Sequence, residues 1–490
     1  MKPAIRTALL VLAAAGAITL AGCGTVVGPD YHVPPQAVVL KPAAAAAFAS
    51  AAEAAFDARS LPPQWWRLYQ DPTLDGLIAR AFAANTDLRI AAANLARLQA
   101  LQVEAAQLRR PDVSVQAAPA YGRPSAAALG LDAPVPADWS QESGIAMSYQ
   151  LDLFGKLSRT IEAADADSAA AGAALDLARV SVAAETARAY VDACAAGQQI
   201  LVARHSVELQ QQFVQLTDRR VAAGRGTALD DSRARGQLDQ WRAAVPTLLA
   251  QHRTAQFRLA VLTGDLPGTL SASIAACSTP PRLQQAIPVG DGAALLRRRP
   301  DIRQAERTLA ATSARIGVAT AALYPEIQLG LSAGSSGSLG QFGTASSLHW
   351  SLGPLISWTL PATGSAHSRI AQAEAGNSAA LARFDGVVLI ALREVESALT
   401  VYARELDRNA ALHDARDQGV RASEQAATLF RHGRTDFLTT LDAERTLASA
   451  ESQLASSDAL LSADQVTLFL ALGGGWEDGT SDGAQNGTIP

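Results

Sequence analysis

The stretch Arg299–Leu331, RPDIRQAERTLAATSARIGVATAALYPEIQLGL, repeats the pattern of an earlier stretch, Asn85–Ala117, NTDLRIAAANLARLQALQVEAAQLRRPDVSVQA. In both, apolar residues recur at the spacing of a helix until a proline, Pro325 or Pro111, which cannot continue a helix. Each proline is followed by residues that alternate between polar and apolar, which is typical of a β-strand. The chain therefore contains two copies of a helix-to-strand unit.

The correspondence continues beyond these stretches and indicates an internal duplication. Four landmarks recur at a nearly constant separation: Pro111 and Pro325 (214 residues apart), Trp139 and Trp350 (211), Gly224 and Gly433 (209), and Gly264 and Gly473 (209). We predict repeat 1 at residues 71–265 and repeat 2 at residues 291–473, joined by a linker at residues 266–290 that is rich in Pro, Ser and Gly. Residues 474–490 are predicted to form a flexible C-terminal tail.

Each repeat is predicted to contain a helix, two strands and then long helices. The first helices are expected in 72–110 and 292–323, and the strands in 111–117, 144–154, 325–334 and 349–361, with loops at 123–138 and 335–348. Proline-free helical patterns follow at 155–220 and 364–432. At 1.5 Å per residue each would be roughly 100 Å long. Gly224 and Gly433 mark the turns at which these helices reverse.

Three tryptophans lie in or beside the predicted strands, at Trp139, Trp350 and Trp358. Two interpretations are open. The rings either fill a buried core or form the aromatic girdle that marks a membrane interface.

The predicted strands and helices require more than one chain. After the N-terminus there is no apolar run of about 20 residues, so a membrane-spanning structure would have to consist of strands. Four strands in lipid would leave edge N–H and C=O groups unpaired, each at a cost of several kcal/mol. Helices of this length also need neighbours to bury their apolar faces. We predict an α+β membrane protein in which several chains form one β-barrel continued by an α-helical barrel.

The N-terminus is typical of a secretory signal that ends at a cysteine. Two basic residues, Lys2 and Arg6, precede an apolar run, and Leu20-Ala21-Gly22-Cys23 resembles a bacterial lipobox. Residues 1–22 are therefore predicted to be a lipoprotein signal peptide, and residues 23–70 a lipidated linker. The resemblance implies that Cys23 carries a covalent lipid, whose methylenes each contribute about 0.8 kcal/mol of membrane affinity. An uncleaved helix with a chance cysteine is the alternative.

The composition and motifs point away from catalysis and nucleic-acid binding. The net charge is −5, without a basic patch, and the seven histidines form no metal-binding spacing. No phosphate-binding loop or nucleophile motif is present, so we expect no enzyme, no metal and no cofactor other than the lipid. An exported hydrolase is the enzymatic alternative. Cys194 and Cys277 are expected to be two unrelated buried thiols, with a disulfide across 83 residues as the alternative.

Five further segments resemble the TolC family of outer-membrane channels, in the OprM- and NodT-like lipoprotein branch that serves resistance-nodulation-division efflux pumps. They are GPDYHVPP (28–35), WWRLYQDPTLDGLI (65–78), LDLFGKL (151–157), LRRRPDIRQAERTLAATSARIGVATAALYPEI (296–327) and TTLDAERTLASAESQL (439–454). The resemblance implies a homotrimer with a 12-stranded barrel and a periplasmic helical tunnel. It also implies a periplasmic adaptor, an inner-membrane pump and an outer-membrane location in a Gram-negative bacterium.

The same resemblance predicts an aperture near the helix reversals. Leu438 and Asp442 lie at i and i+4 on one helix face, and the matching family positions narrow the tunnel. In repeat 1, Asp230 stands where Thr439 stands in repeat 2, so it is predicted to line or brace the aperture, with Asp231 as its alternative. An ordinary solvated position is the alternative for Asp442. The function expected is a passive efflux exit channel. A lipid-anchored coiled-coil scaffold or adhesin without a lumen is the alternative.

Overall fold

The computed structural model describes residues 25–127, 130, 132–269, 274, 276–283, 285–358 and 363–476. Cys23, the predicted signal peptide and nearly all of the predicted tail lie outside these residues. The described chain divides into two compact units. Unit 1 contains residues up to 34, 96–170 and 305–383, and unit 2 contains 35–95, 171–304 and the residues from 384 onward.

Helices and strands follow the same order in the two predicted repeats. The elements of residues 71–265 are α1 (Pro72–Ala84), α2 (Thr86–Gln107), β1 (Asp112–Gly122), β2 (Asp138–Leu151), α3 (Lys156–Ala222) and α4 (Ala228–Leu262). Those of residues 291–473 are α5 (Gly292–Arg298), α6 (Pro300–Ala321), β3 (Glu326–Ser338), β4 (Leu348–Ser357), α7 (Thr363–Arg431) and α8 (Phe437–Ala471). The long helices agree with the sequence prediction to within two residues.

Two details of the prediction were wrong. Each predicted first helix is divided into two helices. In the first repeat, Asn85 ends α1 and caps α2, because its side chain accepts hydrogen bonds from the amides of Asp87 and Leu88. In the second repeat, Pro300 disfavours a helical conformation at Arg299, which separates α5 from α6. The loop predicted at 335–348 is shorter, because β3 continues to Ser338 and a short 3₁₀ turn follows at Leu339–Gln341.

Unit 1 contains an antiparallel four-stranded sheet in the order β1-β2-β3-β4. Its register places most of the large apolar residues of the strands on one face and most of the polar residues on the other, with Leu355, opposite Gln328, as an exception. One apolar row is Val113, Met147, Leu331 and Leu352, and the next is Val115, Ile145, Ala333 and Trp350. Between them runs the polar row Ser114, Ala146, Ser332 and Ser351. Most of the large apolar side chains of the first two rows are exposed, so none of the described residues forms a layer that covers this face.

The three tryptophans are also exposed, each by more than half of its surface. The buried-core interpretation is therefore wrong. Trp350 and Trp358 are eight residues apart along one extended segment, which corresponds to about 26 Å at the rise of a strand. At the tilt of barrel strands, about 35–45°, it would span roughly 20 Å of the about 25 Å height of an apolar band.

Unit 2 contains the larger core. Trp65, from a 3₁₀ turn at Trp65–Tyr69, is fully buried and stacks on Phe469 of α8 with ring centroids 4.6 Å apart. Two-residue strands at Phe56–Asp57 and Ile287–Pro288 pair in parallel and hold the linker regions together. Short helical turns at Val38–Leu40, Pro42–Ala45 and Ala49–Ala52 complete this unit. Among the described helices, none combines enough length with enough apolar character to cross a membrane.

Cys194 and Cys277 form a disulfide, so the expectation of two unrelated thiols was wrong. The inter-repeat segment lies directly on α3, where a Cβ at Gly197 would be only 2.2 Å from the carbonyl oxygen of Cys277. Arg282 of the same segment forms a 2.6 Å ion pair with Asp458 of α8, a nearly buried carboxylate. The segment is therefore fastened to two different helices.

Removing this cross-link is expected to destabilise the protein. A disulfide that closes 83 residues lowers the entropy of the unfolded chain by an amount worth about 4–5 kcal/mol. The double variant Cys194→Ala/Cys277→Ala should show a lower midpoint of thermal unfolding by circular dichroism. Reductant should lower the midpoint of the wild type to the same extent and leave the variant unchanged. A wild-type midpoint that does not respond to reductant would contradict this expectation.

Candidate aperture at the helix reversals

The two helix reversals have the same local geometry. After α3, the amide of Gly224 donates to the carbonyl oxygen of Val221, and that of Arg225 to Arg220. After α7, Gly433 and Arg434 make the same two bonds to the end of their helix. Both glycines have φ near +70°, which favours glycine because a Cβ is strained there.

The helices that return from these turns begin with side-chain caps 209 residues apart. Thr227 caps α4 in a reciprocal capping box with Asp230, whose Oδ2 accepts hydrogen bonds from the amide and hydroxyl of Thr227 at 3.0 and 2.8 Å. Asp436 caps α8 by accepting from the amide of Thr439, and this bond lowers the pKa of Asp436. Asp230 and Thr439 therefore hold equivalent positions, as predicted, and the Asp230 carboxylate braces its own turn.

Asp231, the alternative to Asp230, has a different partner. Its carboxylate pairs with Arg235 at 2.8 Å, and the same guanidinium pairs with Asp218 of α3 at 2.7 Å. Asp231 therefore helps to hold the start of α4 against the end of α3.

The two reversals are packed against each other within unit 2. The ring of Phe213 on α3 lies 5.9 Å from that of Phe430 on α7 and 5.3 Å from that of Phe437 on α8. The guanidinium of Arg220 stacks 4.1 Å above the Phe430 ring and donates to the Phe430 carbonyl oxygen at 3.2 Å. The ends of both helical hairpins are therefore held in one cluster.

Leu438 and Asp442 lie on the side of α8 that faces away from this cluster. Phe437 and Leu441 are buried, whereas Leu438 is 51% exposed and Asp442 is exposed as well. Within the described part of the chain, the Asp442 carboxylate has no hydrogen-bond or ion-pair partner. The face predicted to line an aperture is therefore open in the single chain.

The equivalent residues at the start of α4 were missed by the sequence analysis. Leu229, 209 residues before Leu438, is 56% exposed at the equivalent position of α4. Arg233 stands where Asp442 stands in the second repeat. The constant separation between repeats was the signal that could have identified both.

Behind the exposed face, α8 presents Glu444 to a cavity of about 440 Å³ among α3, α4, α7 and α8. The Oε2 atom of Glu444 is buried without a hydrogen-bond partner. Because burial disfavours the charged form, the pKa of Glu444 is raised to about 7.

The segment that follows Cys23 is fixed at the junction between β2 and α3 in unit 1. Val26 fills the space beside Gly155, where a Cβ would be 2.5 Å from a Val26 methyl, and the amide of Val27 donates to the carbonyl oxygen of Phe154 at 3.2 Å. Arg159 is buried and donates to the carbonyl oxygens of Val27 and Gly28. Cys23 itself lies outside the described residues, four positions before Val27.

The chain combines a sheet that has an exposed apolar face with long helical hairpins. This combination is typical of outer-membrane channel subunits that contain both strands and helices. Comparison with known proteins identifies the family. The model described as "Outer membrane efflux protein" matches residues 77–265 and 293–474, and the chain belongs to this family. The TolC-family resemblance is therefore confirmed, and the protein is located in the outer membrane and extends into the periplasm.

Individual relatives match over nearly their whole length. Outer membrane protein OprJ of Pseudomonas aeruginosa is 32% identical over 98% of this chain and 98% of its own. The probable outer membrane lipoprotein SilC of Salmonella typhimurium is 26% identical over 93% of this chain and 96% of its own. The solved structure of the outer-membrane channel OprN superposes with a TM-score of 0.87 at 36% identity, covering 93% of this chain and 100% of that one.

Glu444→Gln is expected to stabilise the protein at pH 8 but not at pH 4.5. The folded chain holds the Glu444 proton up to about pH 7, whereas the unfolded chain loses it near pH 4.5. Ionisation therefore removes stability as the pH rises through this window, by about 3 kcal/mol once complete. Thermal unfolding at the two pH values measures the effect, and Glu424→Gln, at an exposed glutamate of the same cavity, is the control. Equal midpoints for wild type and Glu444→Gln at pH 8 would show that the carboxylate is solvated.

Proposed function

We propose that the protein is the outer-membrane exit channel of a tripartite efflux pump and that three copies form one passive conduit. The observation that carries this proposal is the open four-stranded sheet with its exposed apolar face. Among the described residues, β1 and β4 each pair with a single strand, which leaves two sheet edges without partners. In lipid these edges need strands from neighbouring chains, because no water is present to bind their N–H and C=O groups.

Three chains satisfy this requirement with a 12-stranded barrel, which matches the even strand numbers of bacterial outer-membrane barrels. The apolar rows of the sheet then face lipid, and the rows of Ser and Gly face the lumen. Trp350 and Trp358 lie near opposite borders of the apolar band, where aromatic girdles occur. The long helices continue the barrel as a helical tunnel into the periplasm.

The aperture is proposed to lie at the helix reversals. With threefold symmetry, the exposed Leu438 and Asp442 each become a ring around one axis. Three carboxylates at close range repel one another, attract cations and disfavour anions. Asp230 braces the adjacent turn through its bonds to Thr227, and Gly224 and Gly433 permit the reversals.

The energy for transport is proposed to come from other proteins. We propose a periplasmic adaptor and an inner-membrane pump of the resistance-nodulation-division type as partners. We propose no enzymatic activity for the chain, in keeping with relatives that are named as efflux-pump and outer-membrane channel proteins.

The lipid anchor is proposed to be Cys23. The relative SilC is named a probable outer membrane lipoprotein, and the lipobox-like sequence precedes Cys23 here. Val26 and Val27, the third and fourth residues after Cys23, are held beside the end of β2. An acyl chain at this position would enter the membrane next to the barrel.

Opening the aperture is expected to raise conductance. The double variant Leu438→Ala/Asp442→Ala removes both rings, so its single-channel conductance in planar bilayers should increase severalfold and its cation selectivity should fall. Leu460→Ala/Asp464→Ala is the matched control, because it removes the same pair at the same spacing on α8 but far from the reversal.

The conductance of the control should equal that of the wild type. Light scattering measures the trimer yield of all three proteins. Unchanged conductance in Leu438→Ala/Asp442→Ala trimers would show that Asp442 is an ordinary solvated residue of the helix surface and does not line an aperture. Absence of conductance in wild-type trimers would favour a lipid-anchored scaffold without a lumen.

The lipid anchor is tested separately. Cys23→Ser should lose incorporation of radiolabelled palmitate and retain its signal peptide longer, whereas insertion in the membrane should persist because the strands supply their own affinity. Cys194→Ala/Cys277→Ala is the matched control and should incorporate label as the wild type does. Equal labelling of Cys23→Ser and wild type would rule Cys23 out.

A further inference from the structure

The cavity beside Glu444 is enclosed on four sides by helices of both repeats. It lies on the side of α8 opposite the exposed Leu438 and Asp442, so it is separate from the proposed aperture face. Its volume of about 440 Å³ is within the range of small-molecule sites. Every lining residue belongs to unit 2.

About half of the residues that line the cavity are aromatic or aliphatic, and the others are polar or charged. Phe213 and Phe430 are buried, and Trp241 is the residue that α4 contributes. Leu447 of α8 adds an aliphatic surface. Such walls fit the apolar body of a ligand, and the faces of aromatic rings also attract cations.

Glu444 supplies a carboxylate that the chain itself does not neutralise. Among the described residues, no donor reaches either carboxylate oxygen, and Oε2 is sealed from solvent. An uncompensated buried carboxylate is costly, which is why burial raises the pKa of this group. A ligand that brings its own positive charge and N–H donors would remove this cost.

The other charged groups described around the cavity do not form an ion pair with the Glu444 carboxylate. They are His205 on α3, Glu424 and Arg431 on α7, and Glu451 on α8, and α4 contributes none among the described lining residues. Arg431, the one lining guanidinium, donates to the Ala427 carbonyl oxygen and the Thr428 hydroxyl of its own helix. The carboxylates thus outnumber the cations, which favours a cationic ligand.

We propose that this cavity binds a small organic ammonium ion with an aromatic body, one per chain, whose N–H groups donate to the Glu444 carboxylate. The apolar body lies against Phe213, Phe430 and Trp241. Because the cavity is lined by helices of both repeats, the ligand contacts the two helical hairpins of a chain at once. The site does not depend on the proposed conduction, so it can be tested by binding alone.

The probe is 2-phenylethylammonium chloride, titrated calorimetrically into the full-length protein in detergent at pH 8. We expect saturable binding with one ligand per chain. Two analogues should each bind at least tenfold more weakly: 2-phenylethanol, which lacks the charge, and methylammonium, which lacks the aromatic ring. Glu444→Gln should bind the probe at least tenfold more weakly, whereas Glu208→Gln, at an exposed glutamate of α3 outside the cavity lining, should bind as the wild type does.

A second measurement uses the wild-type chain and does not depend on any variant. Because the ligand needs the ionised carboxylate, its affinity should be about tenfold lower at pH 6 than at pH 8. His205→Gln should keep this pH dependence, and Glu444→Gln should lose it.

Three results would overturn the proposal. The first is no saturable binding at millimolar probe, which would mean a cavity filled by water only. The second is equal affinity for 2-phenylethanol. The third is wild-type affinity in Glu444→Gln.

Discussion

A backbone N–H or C=O group in lipid can be satisfied only by the protein, and the barrel proposed for the strands of unit 1 rests on this constraint. Antiparallel pairing satisfies β2 and β3 on both sides and leaves β1 and β4 with one side each. The register that pairs them also aligns the apolar residues of four strands into continuous rows on one face. The same hydrogen bonds therefore create both the exposed apolar face and the two sheet edges on which the proposed barrel of several chains rests.

The helical hairpins obey a related requirement at their ends. The last carbonyls of a helix and the first amides of the next need partners wherever the chain reverses. Gly224 and Gly433 satisfy the carbonyls through left-handed turns, and Thr227 and Asp436 satisfy the amides. The polar groups of the turns are therefore paired within the turns. The adjacent face of α8, which carries Leu438 and Asp442, does not take part in this pairing.

Buried polar groups in unit 2 divide into those with partners and those without. Asp458 is nearly buried but accepts from Asn409 and pairs with Arg282, so its charge is compensated. Glu444, fourteen residues earlier on the same helix, has no hydrogen-bond partner at Oε2 among the described residues, and burial raises its pKa to about 7. The contrast identifies Glu444 as a position where, within the described residues, a buried carboxylate oxygen is left without a donor.

The sequence by itself determined which segments are helices and strands, because periodicity, prolines and glycines act over a few residues. It also determined the equivalence of the two repeats and the position of Leu438 and Asp442 beside a reversal. Resemblance identified the family, which the comparisons confirmed.

Only the tertiary structure decided which distant residues meet. It joined Cys194 to Cys277, placed Arg220 on Phe430 and showed the three tryptophans to be exposed. It also left the Oε2 atom of Glu444 without a partner among the described residues. A local pattern cannot specify such pairs, because they depend on how whole helices pack across more than eighty residues of intervening chain.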